Sequence, residues 1–370
     1  MSAAAPSGRS RLYDPLLALS PVLDPILDPL TVRASRSLVG WWKGPPGRVA
    51  QVRAREAALE AVVERYEGQA QALAAAVMRR EADAIASYEA LLARAVHELR
   101  TDAEAAAAKS VGQRLAHAID RALYADHAEW LDDPSFDSAL RVRALDRLDR
   151  MNEALGNYDA FFSVVAPMVE RARACGVARP VIVDLASGHA MFAVILALRL
   201  GAREGRVRVI ATDLVSEYLD LGRERARALG MDDDAISFLE QDALDLRALP
   251  QKVGAPIDVV CCTQSVHHFS PGLVARMFGE AFAVARHGAV VVDGERNVFA
   301  LALVAVAGVV LGRGSVPFLH DAIVSMRRMY TEQELALIGR LAPRSDGRVG
   351  IPATRGWITP GHVWLASGGA

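Results

Sequence analysis

From Pro180 onward the chain alternates short β-branched runs with helix-forming stretches, and this rhythm restricts its fold more than any other feature. VIVDL, VRVIATDL, ISFLEQDA, IDVVCCTQ and GAVVVDG are strand candidates separated by helix-like segments. The pattern predicts an α/β fold: a doubly wound, Rossmann-like, mostly parallel sheet with helices on both faces. Function in such a sheet lies at the carboxyl ends of the strands. At the far end, RVGIPATRGW and GHVWLAS read as a closing hairpin that supplies an antiparallel last strand.

The turn after the first strand lies in VIVDLASGHAMF, residues 181–192. A dinucleotide turn wants three glycines, for the tight bend, for approach of backbone to the pyrophosphate and for helix packing. Framed from Gly188 the pattern is Gly188, Ala190, Ala193; framed from Ala186 it is Ala186, Gly188, Met191. Either frame loses two glycines, so a pyrophosphate is poorly served. Small residues do suit a cofactor that carries adenosine without phosphate, S-adenosylmethionine, whose ribose meets an acid on the next strand.

Four motifs follow one another at strand ends. DLASGHA stands in the place of D-x-G-x-G-x-G, ATD at 211–213 ends the second strand, EQDA at 240–243 follows the third, and TQSVHHFSP at 263–271 follows the fourth. In this order they resemble the class I S-adenosylmethionine-dependent methyltransferases, in particular their small-molecule branch, over about residues 129–370. The resemblance implies a cofactor site of Asp184, Ala186, Gly188, Ala190, Asp213, Leu214, Asp242, Ala243 and Gln264. Asp213 would accept from both ribose hydroxyls, since a carboxylate offers two acceptor oxygens to a diol. Asp242 would accept from the adenine amino group. The residues also admit plainer roles: helix capping for Asp213, a turn for Asp242, a structural part for Asp184. The alanines narrow the loop, and GAREGR lengthens the path to Asp213.

A sulfonium methyl is already electrophilic, so the protein must chiefly align the acceptor and exclude water. The histidines show no HxxxH spacing backed by carboxylates, and no metal site is expected. His267 and His268 follow the fourth strand and are the candidate general bases, a role worth about 100-fold to 10,000-fold; packing and helix entry are the alternative. Ser270 before Pro271 reads as an N-cap, and Thr331 with Glu334 as a capping box.

The expected organisation is a helical region at 1–128 of unassigned role and a methyltransferase domain at 129–370. Within the latter, 129–176 forms cap helices and 296–330 a substrate-covering insertion. Residues 48–128 carry no proline and predict two or three long helices without a sharp heptad seam, serving packing, capping or homodimer formation. The insertion contains FALALVAVAGVVLG at 299–312, which points to a hydrophobic acceptor. Tyr158, Arg327 and Tyr330 are the candidate acceptor-binding residues, with Arg328 beside them.

Across 370 residues the formal charge is -2, which argues against a nucleic-acid partner. Three cysteines, two adjacent, make no disulfide framework and point to a reducing cytoplasm. No secretory signal is expected, and the longest apolar run falls short of the roughly 20 residues a membrane helix needs. Trp41 and Trp42 fit either peripheral contact with a membrane or partner, or packing on their own domain. The expected function is therefore methyl transfer to a small, hydrophobic acceptor at oxygen, carbon or nitrogen. The alternative is a catalytically weak, methyltransferase-like binding or scaffold protein.

Overall fold

A computed structural model of the chain describes residues 48–106, 111, 114, 118–119, 121–122, 124–125, 127–133, 135–296, 301, 316–343, 354–359 and 362–368. The Asp-Pro repeat at 11–30, WWKGPPG and nearly all of the apolar run at 299–312 lie outside them. The described residues fall into two compact units, one drawn from 123–156 and 297–328, the other from 44–122, 157–296 and 329–370.

The larger unit is built on a seven-stranded sheet in the order β3-β2-β1-β4-β5-β7-β6. Its strands are β1 (Val181–Leu185), β2 (Arg208–Asp213), β3 (Ile236–Glu240), β4 (Ile257–Thr263), β5 (Ala285–Gly294), β6 (Thr354–Thr359) and β7 (His362–Ser367). The first five pair in parallel, while β7 runs antiparallel to both β5 and β6. The closing hairpin and the antiparallel last strand are as the sequence predicts.

Strand side chains alternate between faces, and the two cores record that alternation. Val183, Leu185, Cys262, Val291 and Leu365 lie in one apolar cluster; Ile182, Cys261, Val290, Val292 and Ala366 lie in the other. Parallel strands covered on both sides must be apolar at consecutive positions. This explains why VIVDL and IDVVCCT are continuous runs rather than alternating ones.

The first face is covered by α1 (Arg48–Met78) and α2 (Ala82–Ala106), together with two later helices whose ranges follow. On α1, Leu59, Val63, Tyr66, Ala70, Ala74 and Val77 are buried, and on α2, Tyr88, Leu92, Ala95, Leu99 and Ala103. These spacings of three and four do form a seam. The sequence concealed it because alanines, common throughout the stretch, occupy several seam positions. The helices break where Arg80 adopts a left-handed φ of 66°. The hairpin is thus part of the same compact unit as the sheet: the Tyr88 hydroxyl donates to the Leu341 carbonyl at 2.7 Å, buried, and Arg276 pairs with Glu89 at 2.8 Å.

Before β1 lies α4 (Asn157–Ala174), and between the strands run α5 (Met191–Leu200), α6 (Ser216–Ala228), α7 (Leu249–Val253), α8 (Pro271–Val284) and α10 (Glu332–Leu341). The smaller unit holds α3 (Ser138–Leu155) and α9 (Val316–Arg328). Asp137 caps α3 by accepting from the Leu140 amide, and Gly156, at φ 73°, ends it. The stretch 129–176, expected to form cap helices, therefore holds two helices, Ser138–Leu155 and Asn157–Ala174. Within this unit Asp321 of α9 accepts from the amides of Trp130 and Leu131, both at 2.9 Å, and the His320 ring stacks on Trp130 at 3.6 Å.

A buried charge cluster ties β5, α10 and α2 together. Thr331 and Glu334 form the expected capping box at the start of α10. The Glu334 carboxylate also accepts from Arg296 at 2.7 Å and from Arg100 at 2.6 Å. Burial alone would raise this carboxyl, but the charges and hydrogen bonds of Arg100 and Arg296 hold it well below the usual carboxylate range. Removing one member of such a buried cluster strands the others. Glu334→Gln is expected to lower stability by about 3–5 kcal/mol, read from the midpoint of guanidinium unfolding; a loss below about 1 kcal/mol would show that the three charges contribute little.

Candidate active site at the carboxyl ends of the strands

The turn from β1 into α5 has left-handed backbone at three alternate positions: Ala186 at φ 46°, Gly188 at 54° and Ala190 at 58°. Only glycine adopts this conformation without penalty, and an alanine there costs roughly 1–2 kcal/mol. The alanines therefore keep the shape that glycines would give, under strain. A Cβ built on Gly188 would point into open space, with nothing within 4 Å. The Cβ of Ala190, by contrast, points at α6, where Gly222 stands; a Cβ on Gly222 would lie 2.8 Å from that of Ala190 and 2.8 Å from Phe238. The room that the Ala190 methyl takes is left by Gly222 on the facing helix.

The neighbouring strand ends are laced to this turn. Ser187 donates its amide to the Thr212 carbonyl at 2.9 Å, and the Thr212 hydroxyl donates to the Asp184 carbonyl at 3.0 Å. Asp213, the last residue of β2, accepts from the Gly188 amide at 2.8 Å through one carboxylate oxygen and from Val215 at 3.0 Å through the other. Each oxygen keeps lone-pair capacity beyond that bond. Leu214 beside it is 63 % exposed, a large apolar side chain at the rim. After β3, Asp242 is exposed and its carboxylate accepts from the Leu244 amide at 2.8 Å, so it does shape a turn. Gln241 faces inward, donating to the Asp242 carbonyl at 3.0 Å and accepting from Lys252 at 2.8 Å, while Ala243 is buried.

Asp184 is 1 % exposed and takes a sulfur hydrogen bond from Cys261 at 3.5 Å. Burial, opposed by that bond and helped by the nearby Asp213 charge, pushes its carboxyl up to about 7. Burial likewise pushes the Cys261 and Cys262 thiols up, which leaves them unreactive.

Beyond β4 the chain turns through Gln264 at φ 55°, whose amide donates to the Val292 carbonyl at 2.8 Å. The Ser265 hydroxyl donates to the Ala186 carbonyl at 2.8 Å and joins this loop to the first turn. A short 3₁₀ turn, Val266–His268, follows. His267 is buried with its Nδ1 2.9 Å from both carboxylate oxygens of Asp293, and its amide donates to the same carboxylate at 2.8 Å. The His268 ring lies 4.4 Å from that of His267, centroid to centroid, and is half-buried. Asp293, at the end of β5, is a site residue the sequence reading passed over. Its signal was an acid closing the apolar run AVVVDG. Ser270 does begin α8 with Pro271 next to it, but makes no side-chain capping bond.

The acceptor candidates are dispersed. Tyr158 is buried in an aromatic group with Phe161 and Phe192, at ring distances of 6.3 and 6.4 Å. Tyr330 is 2 % exposed, and its hydroxyl donates to the Phe269 carbonyl at 2.6 Å. That bond secures the loop carrying the histidines. Arg327 and Arg328 are half-buried in the last turn of α9, in the smaller unit.

The contact between Ala190 and Gly222 is testable as a pair. Gly222→Ala is expected to cost about 1–3 kcal/mol from overpacking; adding Ala190→Gly should recover about 1 kcal/mol, a non-additivity that thermal or denaturant melts of the four proteins would measure. The raised Asp184 carboxyl has a pH signature. Between the unfolded value near 3.8 and about 7 the folded chain holds a proton that the unfolded chain has released. The Asp184 contribution is therefore fully present below the first value and lost as pH rises through the second. Relative to Asp184→Asn, wild-type stability should fall by roughly 2–4 kcal/mol from pH 4 to pH 8; a constant difference across that range would refute the assignment.

Residues 182–288 match a protein family described as a methyltransferase domain. A comparison with curated protein sequences finds no match. Among solved structures, the chain is similar to magnesium protoporphyrin IX methyltransferase from Synechocystis PCC 6803 with bound SAH, at 14% identity over 68% of this chain and 92% of that one, TM-score 0.39. It is similar to the plantazolicin methyltransferase BamL, at 12% identity over 65% and 92% of the two chains, TM-score 0.45. A SAM-dependent methyltransferase from Aquifex aeolicus aligns at 13% identity over 55% and 89%, TM-score 0.37. At such low likeness the weight rests on the matched segment, the sheet with its antiparallel last strand, and the acids at the strand ends. The match marks residues 182–288 as a methyltransferase domain, set within a sheet whose last strand is antiparallel.

Proposed function

We propose that the protein methylates a small, hydrophobic acceptor, with the cofactor held across the ends of β1, β2 and β3. The observation that carries the cofactor pose is the Asp213 carboxylate, fixed by the Gly188 and Val215 amides beside an exposed leucine. Those bonds orient both oxygens before any ligand arrives, so the ribose diol meets an acceptor already in place. Gly188 offers open backbone, Leu214 an apolar surface for the adenine, and Asp242 with Ala243 the polar edge beyond it. Asp184, Ala186, Ala190 and Gln264 complete the berth. These small and acidic residues fit an adenosyl group that carries no phosphate. When bound, the cofactor supplies an electrophilic methyl on sulfur, which needs no metal to activate it.

His267 and His268, beyond β4, are the bases proposed for the acceptor side. The apolar sequence at 299–312 supports a hydrophobic acceptor. A formal charge of -2 favours a small molecule over a nucleic acid. Tyr330 acts in this scheme by holding the Phe269 loop, and Arg327 by orienting a polar group of the acceptor.

The pose predicts that Asp213→Asn weakens calorimetric binding of S-adenosylhomocysteine by roughly ten- to a hundredfold, the worth of one charge-assisted hydrogen bond. Unchanged affinity in a folded variant would remove Asp213 from the site.

A further inference from the structure

We propose that Arg80, at the break of the N-terminal hairpin, is a positioning residue for the cofactor: it holds the loop after β3 in the shape that meets the adenine amino group, and thereby sets the preference for that base. The inference rests on the cofactor reading above and gives the hairpin a part in it.

Arg80 lies in the connection between α1 and α2 with a left-handed φ of 66°. Its amide donates to the Val77 carbonyl at 2.9 Å and that of Glu81 to the Ala76 carbonyl at 3.1 Å, the paired bonds with which a helix ends on a left-handed residue. Glycine suits such a position, whereas an arginine there is strained. What arginine adds is reach. Its guanidinium bonds the Asp245 carboxylate, in the loop after β3, and lies 3.8 Å from the carboxylate of Glu280, a residue of α8 that is 4 % exposed. Glu280 in turn accepts from the Leu246 amide at 3.2 Å, so one side chain of the hairpin grips the loop and its support together. The Arg80 hydrogen bond, with its charge, holds the Asp245 carboxyl below its ordinary value.

The build of the loop makes that grip matter to the adenine. Gln241 donates through Nε2 to the carbonyls of Asp242 and Asp245, and the Asp245 amide donates to the Asp242 carbonyl at 3.0 Å. Asp242 therefore stands on a short closed turn whose far end is the residue that Arg80 holds. Its near end is tied to the ribose acid, since the Gln241 amide donates to the Asp213 carbonyl at 3.0 Å. An exposed ion pair contributes little to stability, and the Arg80 and Asp245 side chains are 40 % and 48 % exposed. The strain at Arg80 is thus not offset by a gain for the fold. Strain kept where a glycine would relieve it points to the geometry of a site.

The test is calorimetric binding of S-adenosylhomocysteine and of S-inosylhomocysteine, which carries a carbonyl oxygen where adenine has its amino group. Wild type should prefer the first by roughly tenfold or more, because an acceptor facing an oxygen is left unpaired. Arg80→Gly, free of both strain and charge, should keep or raise the unfolding midpoint, weaken S-adenosylhomocysteine by roughly three- to tenfold and change the inosyl compound by less than about twofold. Asp245→Asn should reduce the preference likewise, and Arg80→Lys should retain part of it. Arg276→Met, which breaks a different ion pair of the hairpin, that with Glu89, should lower stability and leave the preference intact. If Arg80→Gly fails to fold, Asp245→Asn and Arg80→Lys decide the matter. A preference unchanged in Arg80→Gly, an equal loss of both ligands, or as large a loss of preference in Arg276→Met would each overturn the proposal. Wild type that binds S-adenosylhomocysteine without preferring it would remove Asp242 from the adenine, and the proposal with it; wild type that binds neither compound would overturn the cofactor reading as a whole.

Discussion

The bond from the Gly188 amide to the Asp213 carboxylate is the interaction on which the rest of the site depends. A parallel sheet ends its strands side by side, but nothing in strand pairing alone fixes the loops beyond. Asp213 connects the turn after β1 to the turn after β2 through a half-buried hydrogen bond, and Ser265 connects the turn after β1 to the loop after β4. Three loops of independent sequence thereby share one geometry. Pre-orientation of this kind lets the protein meet its ligand without reordering its own polar groups.

The turn also shows how a fold absorbs an unusual choice of residue. Alanine at 186 and 190 stores strain in left-handed backbone. At Ala190 the second difficulty, the volume of a methyl group against α6, is met by Gly222 on the facing helix. Chain shape near the first strand is therefore preserved by a residue more than thirty positions away. The reading of an enfeebled, scaffold-like protein drew on those alanines; a turn that holds its left-handed positions under them gives that reading less to stand on.

Away from the site, the N-terminal hairpin serves the sheet unit by supplying a layer. Its alanine-rich seam lets α1 and α2 lie close, Tyr88 reaches the end of α10, and Arg100 meets Glu334 over the start of that helix. Arg296 at the exit of β5 binds the same carboxylate and the Met329 carbonyl. The two chain ends that flank residues 297–328 are in this way fastened within one buried cluster.

The sequence by itself determined the sheet class with its antiparallel last strand, the capping box at Thr331 and the acids at the ends of β1 and β2. These are local properties: period, propensity and a side chain bonding to backbone a few residues away. For Asp242 it pointed to the adenine amino group, with a turn as the plainer role, and the structure displays the turn. The tertiary structure alone decided which residues meet. Asp293 and His267 are 26 positions apart and become partners because two strands are neighbours; Gly222 and Ala190 touch because a helix lies over a turn. Tyr330, drawn from sequence as a ligand contact, spends its hydroxyl on the Phe269 carbonyl instead. Long-range pairings of this sort leave no period in the chain, since their register is set by the packing of elements whose faces one sequence cannot display.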